Sequence, residues 1–192
     1  HDSSRKISDD MAWIFHAPVE VALGRAKGQD AKPSATKPKP APRLLEGPLY
    51  ELRIYHASEG RFQHLIKRFR EHTDRIFKKH GLKALGYWIP TEGSAKNKRR
   101  FVYLLEHPSR YEAYRNWTNF FNDKEWEKVM DKPEFQGLLS EKPTHFFLTP
   151  NDYSARARNE IAKPGGIFEL RTYVANPGKL AGLNTRCRDH TT

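Results

Sequence analysis

The part of the chain that looks folded begins with a segment in which apolar and polar residues alternate. Residues 50–55 read Tyr-Glu-Leu-Arg-Ile-Tyr, which has the period of two expected of a half-buried β-strand. Leu52 and Ile54 would then face the core. The opposite face would carry the polar side chains, which are Glu51, Arg53 and Tyr55. We therefore expect these polar side chains to point away from the helices that cover the core.

The next segment has the spacing of an amphipathic helix. Its core-facing residues recur at intervals of three and four positions, and they are Phe62, Leu65, Ile66, Phe69, Thr73, Ile76 and Phe77. Ser58 offers a cap at the start, and Gly81 suits the left-handed position that follows a helix C-terminus. The pattern predicts one continuous helix of about five turns.

The remaining elements complete a βαββαβ order. Strands are predicted for residues 82–89, 101–106 and 144–149, and a helix begins after Pro108. Its apolar stripe consists of Tyr111, Tyr114, Trp117, Phe120 and Phe121. Asp123 would cap a further short helix. This order predicts an α+β fold, the ferredoxin-like unit with an antiparallel sheet.

Composition divides the chain into four parts. Residues 1–45 form a tail rich in proline and lysine, in which Met11–Leu23 is mildly apolar and has the character of a degraded signal segment. Residues 46–152 form the ferredoxin-like domain, and residues 153–166 form a linker. Residues 167–192 begin a second unit that stops inside its first helix.

The second unit is a repeat of the first. Residues 168–191 match residues 50–73 at 11 of 24 positions without a gap. We expect the remainder of this second unit to be missing, so that Ile167–Val174 docks elsewhere or frays.

A set of short motifs along the first unit identifies a family. The motifs are Glu51-Leu52-Arg53 with Tyr55, Glu59-Gly60, Lys79-His80-Gly81, Gly86-Tyr87-Trp88, and Asp123 with Glu125-Trp126. Their order and spacing resemble the NIPSNAP family over residues 49–149, and residues 167–192 match as a fragment. The resemblance implies a dimeric α/β barrel, in which two ferredoxin-like units pair sheet to sheet, and often two such units in tandem. It brings no accepted catalytic mechanism.

Charge adds one further hypothesis. The chain carries 34 Lys and Arg against 23 Asp and Glu, for a net charge of +11. Basic residues are spread along it, and the one compact group is Lys96, Lys98, Arg99 and Arg100, which could bind nucleic acid or anionic lipid. No zinc-finger spacing or aromatic RNA-binding motif accompanies this group, which makes nucleic acid an unfavoured partner. No apolar run approaches the ~18 residues of a membrane span. The single cysteine, Cys187, excludes an internal disulfide.

Two sets of residues could form a site. Glu51, Arg53 and Tyr55 recur in the second copy, and with Tyr103 they predict either a network that sets dimer register or a pocket for a small anion, with Arg53 as the guanidinium fork. The candidate catalytic residues are His72, Tyr87, Trp88 and His145, which would suit a small aromatic or anionic substrate. Histidine spacing does not support a metal site, and we expect neither metal nor cofactor.

These observations favour one function over two alternatives. The leading prediction is a NIPSNAP-like protein without defined biochemical activity, which acts by homodimerisation or by pairing with a second NIPSNAP unit. The first alternative is a cofactor-independent, monooxygenase-like or ligand-binding enzyme of the same superfamily. The second is electrostatic binding through the basic loop. The Pro/Ala/Lys linker resembles that of exported bacterial members of the family, and the resemblance implies an exported bacterial protein rather than a mitochondrial one.

Overall fold

The computed structural model describes residues 48–154 and 166–190. The tail predicted for residues 1–45 lies outside the described residues, as does most of the linker predicted for residues 153–166. Within the described ranges, no helix combines the length and apolar character needed to cross a membrane.

The first unit is an antiparallel four-stranded sheet with helices, so the predicted α+β fold is confirmed. Its strands are β1 (Leu49–His56), β2 (Lys83–Trp88), β3 (Arg100–His107) and β4 (Thr144–Leu148), in the spatial order β2-β3-β1-β4. The helical elements are α1 (Phe62–Arg68), a π-helical turn (Phe69–Thr73), α2 (Asp74–Lys79), α3 (Ala95–Lys98), α4 (Arg110–Phe121), α5 (Lys124–Met130), a 3-10 turn (Pro133–Phe135) and α6 (Leu180–His190).

The helices pack on the face of the sheet that the sequence pattern had assigned to the outside. Glu51, Arg53 and Tyr55 of β1 are buried on the helix side, whereas Leu52 and Ile54 lie on the far side. The predicted orientation of β1 is therefore wrong. The polar residues are tolerated next to the helices because they bond to one another and to Trp117 of α4.

The core between sheet and helices is dominated by aromatic rings. Phe77 of α2 lies at its centre, with ring centroids 5.4 Å from Trp117, 4.9 Å from Phe120 and 6.0 Å from Tyr103. The face predicted for the first helix is confirmed, since Leu65, Phe69, Thr73, Ile76 and Phe77 are all buried.

The first helix is interrupted rather than continuous. The π-helical turn Phe69–Thr73 separates α1 from α2, and the Thr73 hydroxyl donates to the carbonyl oxygen of Arg68 at 3.2 Å. The helix also begins later than predicted, because Arg61, not Ser58, is the N-cap residue and makes no side-chain cap bond. Single π turns inside α-helices occur frequently at functional sites.

The junctions predicted at Gly81 and Asp123 are confirmed. Gly81 has φ 72°, the left-handed conformation that glycine adopts at little cost. Asp123 caps α5 by accepting from the Glu125 amide at 2.7 Å, and its carboxylate also contacts Lys79 and His80. The hydrogen bond from Lys79 holds the pKa of Asp123 well below its usual range. The carboxylate thus ties the end of α2 to the start of α5.

The second copy has only part of the structure of the first. Residues 166–174 form no strand, and Phe168 packs edge to face on Trp88 with ring centroids 5.8 Å apart. Its helix does form, as α6, and Arg188 of that helix pairs with Asp152. A strand needs a neighbouring strand for its backbone hydrogen bonds, whereas a helix satisfies its own.

Candidate functional site

A buried carboxylate organises the helix side of the sheet. Glu51 is 1% exposed and accepts hydrogen bonds from Arg53 Nη1 at 2.8 Å, from Trp117 Nε1 at 2.7 Å and from His107 Nε2 at 2.9 Å. Because an ionised carboxylate only accepts, His107 must carry its proton on Nε2. The Glu51 side chain therefore joins β1 to β3 and to α4.

The network keeps Glu51 ionised in spite of its burial. Burial alone would raise the pKa of Glu51, but the charge of Arg53 and the hydrogen bonds from His107 and Trp117 outweigh it and hold the pKa at about 2. The Arg53 guanidinium also lies over the Trp117 ring, 4.5 Å from its centroid. Both charges are therefore present at neutral pH.

Acid is expected to remove the stabilisation that this carboxylate provides. The pKa of Glu51 falls from an ordinary 4.5 to about 2 on folding, so its contribution is complete above pH 4.5 and is lost as the pH falls through 2. We expect the difference in free energy of unfolding between the natural chain and Glu51→Gln to shrink by about 3 kcal/mol between pH 7 and pH 2. Urea unfolding of both proteins across this range measures it. A pH-independent difference would contradict the assignment.

Tyr55 and Tyr103 extend the buried polar network. The Tyr103 hydroxyl donates to that of Tyr55 at 2.9 Å, and their rings pack edge to face. Burial raises the pKa of Tyr103 well above its usual range, so it stays a neutral phenol. The four residues predicted as a ligand or register site therefore lie together. They face the helices, however, and not a second sheet.

A cavity of about 40 Å³ lies next to this network, between the sheet and the helices. Arg53 reaches it from β1, and Arg68 reaches it from the end of α1. Its other lining residues are Tyr55, Phe69, Thr73, Phe77, Trp117, Phe120, Phe121, Trp126, Leu139 and Pro143. The cavity thus brings two guanidinium groups to an otherwise largely aromatic wall.

Arg68 was not among the residues that the sequence pattern singled out. It lies three positions after Leu65 and directly before Phe69, on the buried side of the helix. The helical spacing alone could have marked it as a charged residue on an apolar face. Its guanidinium lies 5.3 Å from the centroid of Trp126 and donates to the Met130 sulfur at 3.4 Å.

The four candidate catalytic residues do not converge on this cavity. Tyr87 faces the helices and donates to Asp74 at 2.7 Å, whereas Trp88 lies on the far side of the sheet. Burial and the hydrogen bond to Asp74 raise the pKa of Tyr87 well above its ordinary value, which opposes a role as a phenolate base. His72 packs on Phe135, and His145 lies on β4 opposite Arg53. Their catalytic role stays a prediction.

His145 is the candidate nearest to the charged network. Burial lowers its pKa, and the charge of Arg53 lowers it further. Neither here nor in the rest of the described residues do three or more His, Cys, Asp or Glu side chains lie together so that they could hold a metal ion.

The basic loop makes local contacts. Lys96 Nζ lies 3.5 Å from a carboxylate oxygen of Glu141, and Arg100 donates to His56 at 3.1 Å. The Glu141 carboxylate offsets part of the positive charge that the loop offers to a polyanion. Binding through it stays a prediction.

The far side of the sheet, here called the outer face, is apolar along its centre. It consists of Leu52, Ile54, Trp88, Val102, Leu104, Phe146 and Leu148. Phe146 and Leu148 are 51% and 43% exposed. Leu52 at the centre of this face is 7% exposed, and Phe168 packs on Trp88, so the exposed large apolar side chains of the outer face are Phe146 and Leu148.

Comparison with known proteins identifies the family. The model of the NIPSNAP family matches residues 50–155, more than half of the chain. Among curated proteins, none matches.

Several solved structures are similar to part of this chain. An uncharacterized NIPSNAP-like domain protein from Burkholderia xenovorans is 19% identical, with a TM-score of 0.50, and the match covers 57% of this chain and 90% of that one. A NIPSNAP family protein from Agrobacterium tumefaciens is 21% identical, with a TM-score of 0.49 and coverage of 56% and 96%. A structure described as an antibiotic biosynthesis monooxygenase is 14% identical, with a TM-score of 0.38 and coverage of 54% and 98%.

Proposed function

The chain belongs to the NIPSNAP family, and on that premise we propose that it acts by association, with its outer face packed against the outer face of a second copy. The observation that carries the proposal is the exposure of Phe146 and Leu148 on this apolar face, which lies opposite the helices. Phe168 of the same chain packs on Trp88, at the other edge of the sheet. Apolar surface in water costs roughly 25 cal/mol per Å², so its burial favours pairing.

The arrangement of residues on the outer face matches that of a protein interface. Along the pairing of β1 with β3, Leu52 lies beside Leu104 and Ile54 beside Val102. Polar pairs lie at the two ends of this row, Tyr50 with Glu106 and His56 with Arg100. An apolar centre with a polar rim is the usual anatomy of an interface between proteins.

The edge strand β4 widens the apolar centre. Phe146 pairs with Leu52, and Leu148 pairs with Tyr50, so both extend the same surface. A second copy supplies a surface of the same shape and character, which a closed two-fold pairing requires.

Light scattering across a range of concentrations tests the proposal. We expect the natural chain to approach twice its 22.4 kDa mass. Phe146→Glu should weaken association at least tenfold, because a carboxylate placed in the apolar centre would have to lose its hydration. Tyr111→Glu is the matched control, since Tyr111 is an exposed aromatic on α4. A mass that stays at 22.4 kDa at all concentrations would refute pairing with a second copy.

The enzyme alternative has less support in the geometry. Its four candidate residues do not share a pocket, since Tyr87 and Trp88 lie on opposite sides of the sheet. The cavity of about 40 Å³ is also small beside a cavity of roughly 150 Å³ that is known to admit benzene. Association is therefore the function that we put forward.

A further inference from the structure

We propose that the cavity between the sheet and the first helix binds a small monovalent carboxylate, of the size of acetate, against the guanidinium groups of Arg53 and Arg68. The cavity lies on the helix side, so this inference is independent of association through the outer face. Its support comes from a buried donor, the composition of the wall, and the volume.

One hydrogen-bond donor of the Arg53 guanidinium has no acceptor among the described residues. Its Nη1 is used by Glu51, but its Nε–H is buried and has no hydrogen-bond acceptor among the described residues. A buried charged group with an unmet donor is costly, and such groups are normally satisfied by a protein group, a water or a ligand. A carboxylate in the adjoining cavity would supply the acceptor.

The remaining wall also suits a carboxylate. Arg68 brings a second guanidinium, and none of the described residues that line the cavity is Asp or Glu. The planar fork of arginine matches the two oxygens of a carboxylate better than a point charge would. The aromatic residues of the wall, such as Phe120 and Trp126, would contact the apolar end of the ligand.

The π-helical turn gives this part of the helix a local irregularity at the cavity. Three residues of this segment line the cavity: Arg68, which directly precedes the turn, and Phe69 and Thr73, which are its first and last residues. Successive residues of a regular α-helix are rotated by about 100° around its axis. The π turn contains one residue more per turn, so it changes which side chains of this segment face the cavity. π turns within α-helices are frequent at functional sites.

The volume sets the size of the ligand. A water needs roughly 10–15 Å³ on this measure, so about 40 Å³ corresponds to about three waters. Acetate or formate fits this space. A benzoate-sized ligand does not.

Nuclear magnetic resonance of the full chain labelled with ¹⁵N-arginine tests the proposal. Sodium acetate is titrated against sodium chloride at constant ionic strength while the arginine Nε–H signals are followed. We expect acetate to shift the signals of Arg53 and Arg68 saturably in the millimolar range, and chloride and benzoate to cause no saturable shift.

Variants separate the site from general charge effects. Arg68→Met, which keeps the packing length, should weaken acetate binding at least tenfold, and Arg68→Lys should weaken it less because the charge is kept. Arg171→Met is the matched control, since Arg171 is the exposed counterpart of Arg53 in the second copy and its loss should leave binding unchanged. Absence of a saturable shift, equal effects of chloride, or unchanged binding by Arg68→Met or Arg68→Lys would each overturn the proposal. If Arg68→Met does not fold, Arg68→Lys and the titration of the natural chain decide the outcome.

Discussion

Replacing Glu51 by glutamine is expected to lower the free energy of unfolding by about 3–5 kcal/mol at neutral pH. The substitution preserves shape but removes the negative charge, and Arg53 is then left buried without its ionic partner. The Trp117 and His107 donors also lose a charged acceptor. Breaking a buried ion pair costs far more than the pair contributes on a surface, because the remaining charge cannot regain its hydration.

The second copy of the repeat contains the control for this experiment. Glu169 and Arg171 form the equivalent pair at 2.7 Å, but both side chains are about two thirds exposed. Glu169→Gln should therefore change stability far less than Glu51→Gln, because solvent screens an exposed pair. Urea unfolding at one protein concentration measures both variants, since association would make stability depend on concentration. Equal effects of the two substitutions would show that burial of the Glu51 network has no energetic consequence.

Replacing Phe77 by alanine should also cost about 3–5 kcal/mol. Phe77 is 1% exposed, and its ring packs against Trp117, Phe120 and Tyr103. It also lines the existing cavity, so removal of the ring enlarges a space that is already empty of protein atoms. Trp117 and Tyr103 beside it are held by hydrogen bonds to Glu51 and Tyr55, which limits the collapse that would reduce the cost.

Thermal and urea unfolding of Phe77→Ala measure this loss. Tyr111→Ala is the matched control, because Tyr111 is an aromatic residue that is 66% exposed on α4. We expect a change within about 0.5 kcal/mol for the control. A loss below about 1 kcal/mol for Phe77→Ala would show that the aromatic cluster is not the core of this unit.

Much of the fold could be predicted because local patterns determine local structure. The spacing of Leu65, Phe69 and Phe77 identified the buried face of the first helix, and the glycine at position 81 identified its end. Asp123 was recognised as a cap from its side chain and position. In each case the physical cause acts within a few residues, so the sequence contains the whole of it.

The orientation of β1 could not be predicted in the same way. Alternation separates Glu51, Arg53 and Tyr55 from Leu52 and Ile54, but it does not say which set faces the helices. Hydrophobicity favoured the wrong set, because a charged residue is assumed to avoid the core. The choice depends on partners that lie 56 and 66 residues away, His107 and Trp117.

The sequence by itself determined the order of elements, the α+β class, the family and the repeat. These follow from periodicity, caps and motifs, whose causes are local. Only the tertiary structure decided which face of β1 lies under the helices: the charged network does, and the apolar set lies on the outer face. It alone brought Arg53 and Arg68 to one cavity. The physical reason is that a buried charge is stable only where other groups supply its hydrogen bonds. Here those groups are far away along the chain, so a local sequence pattern does not reveal them.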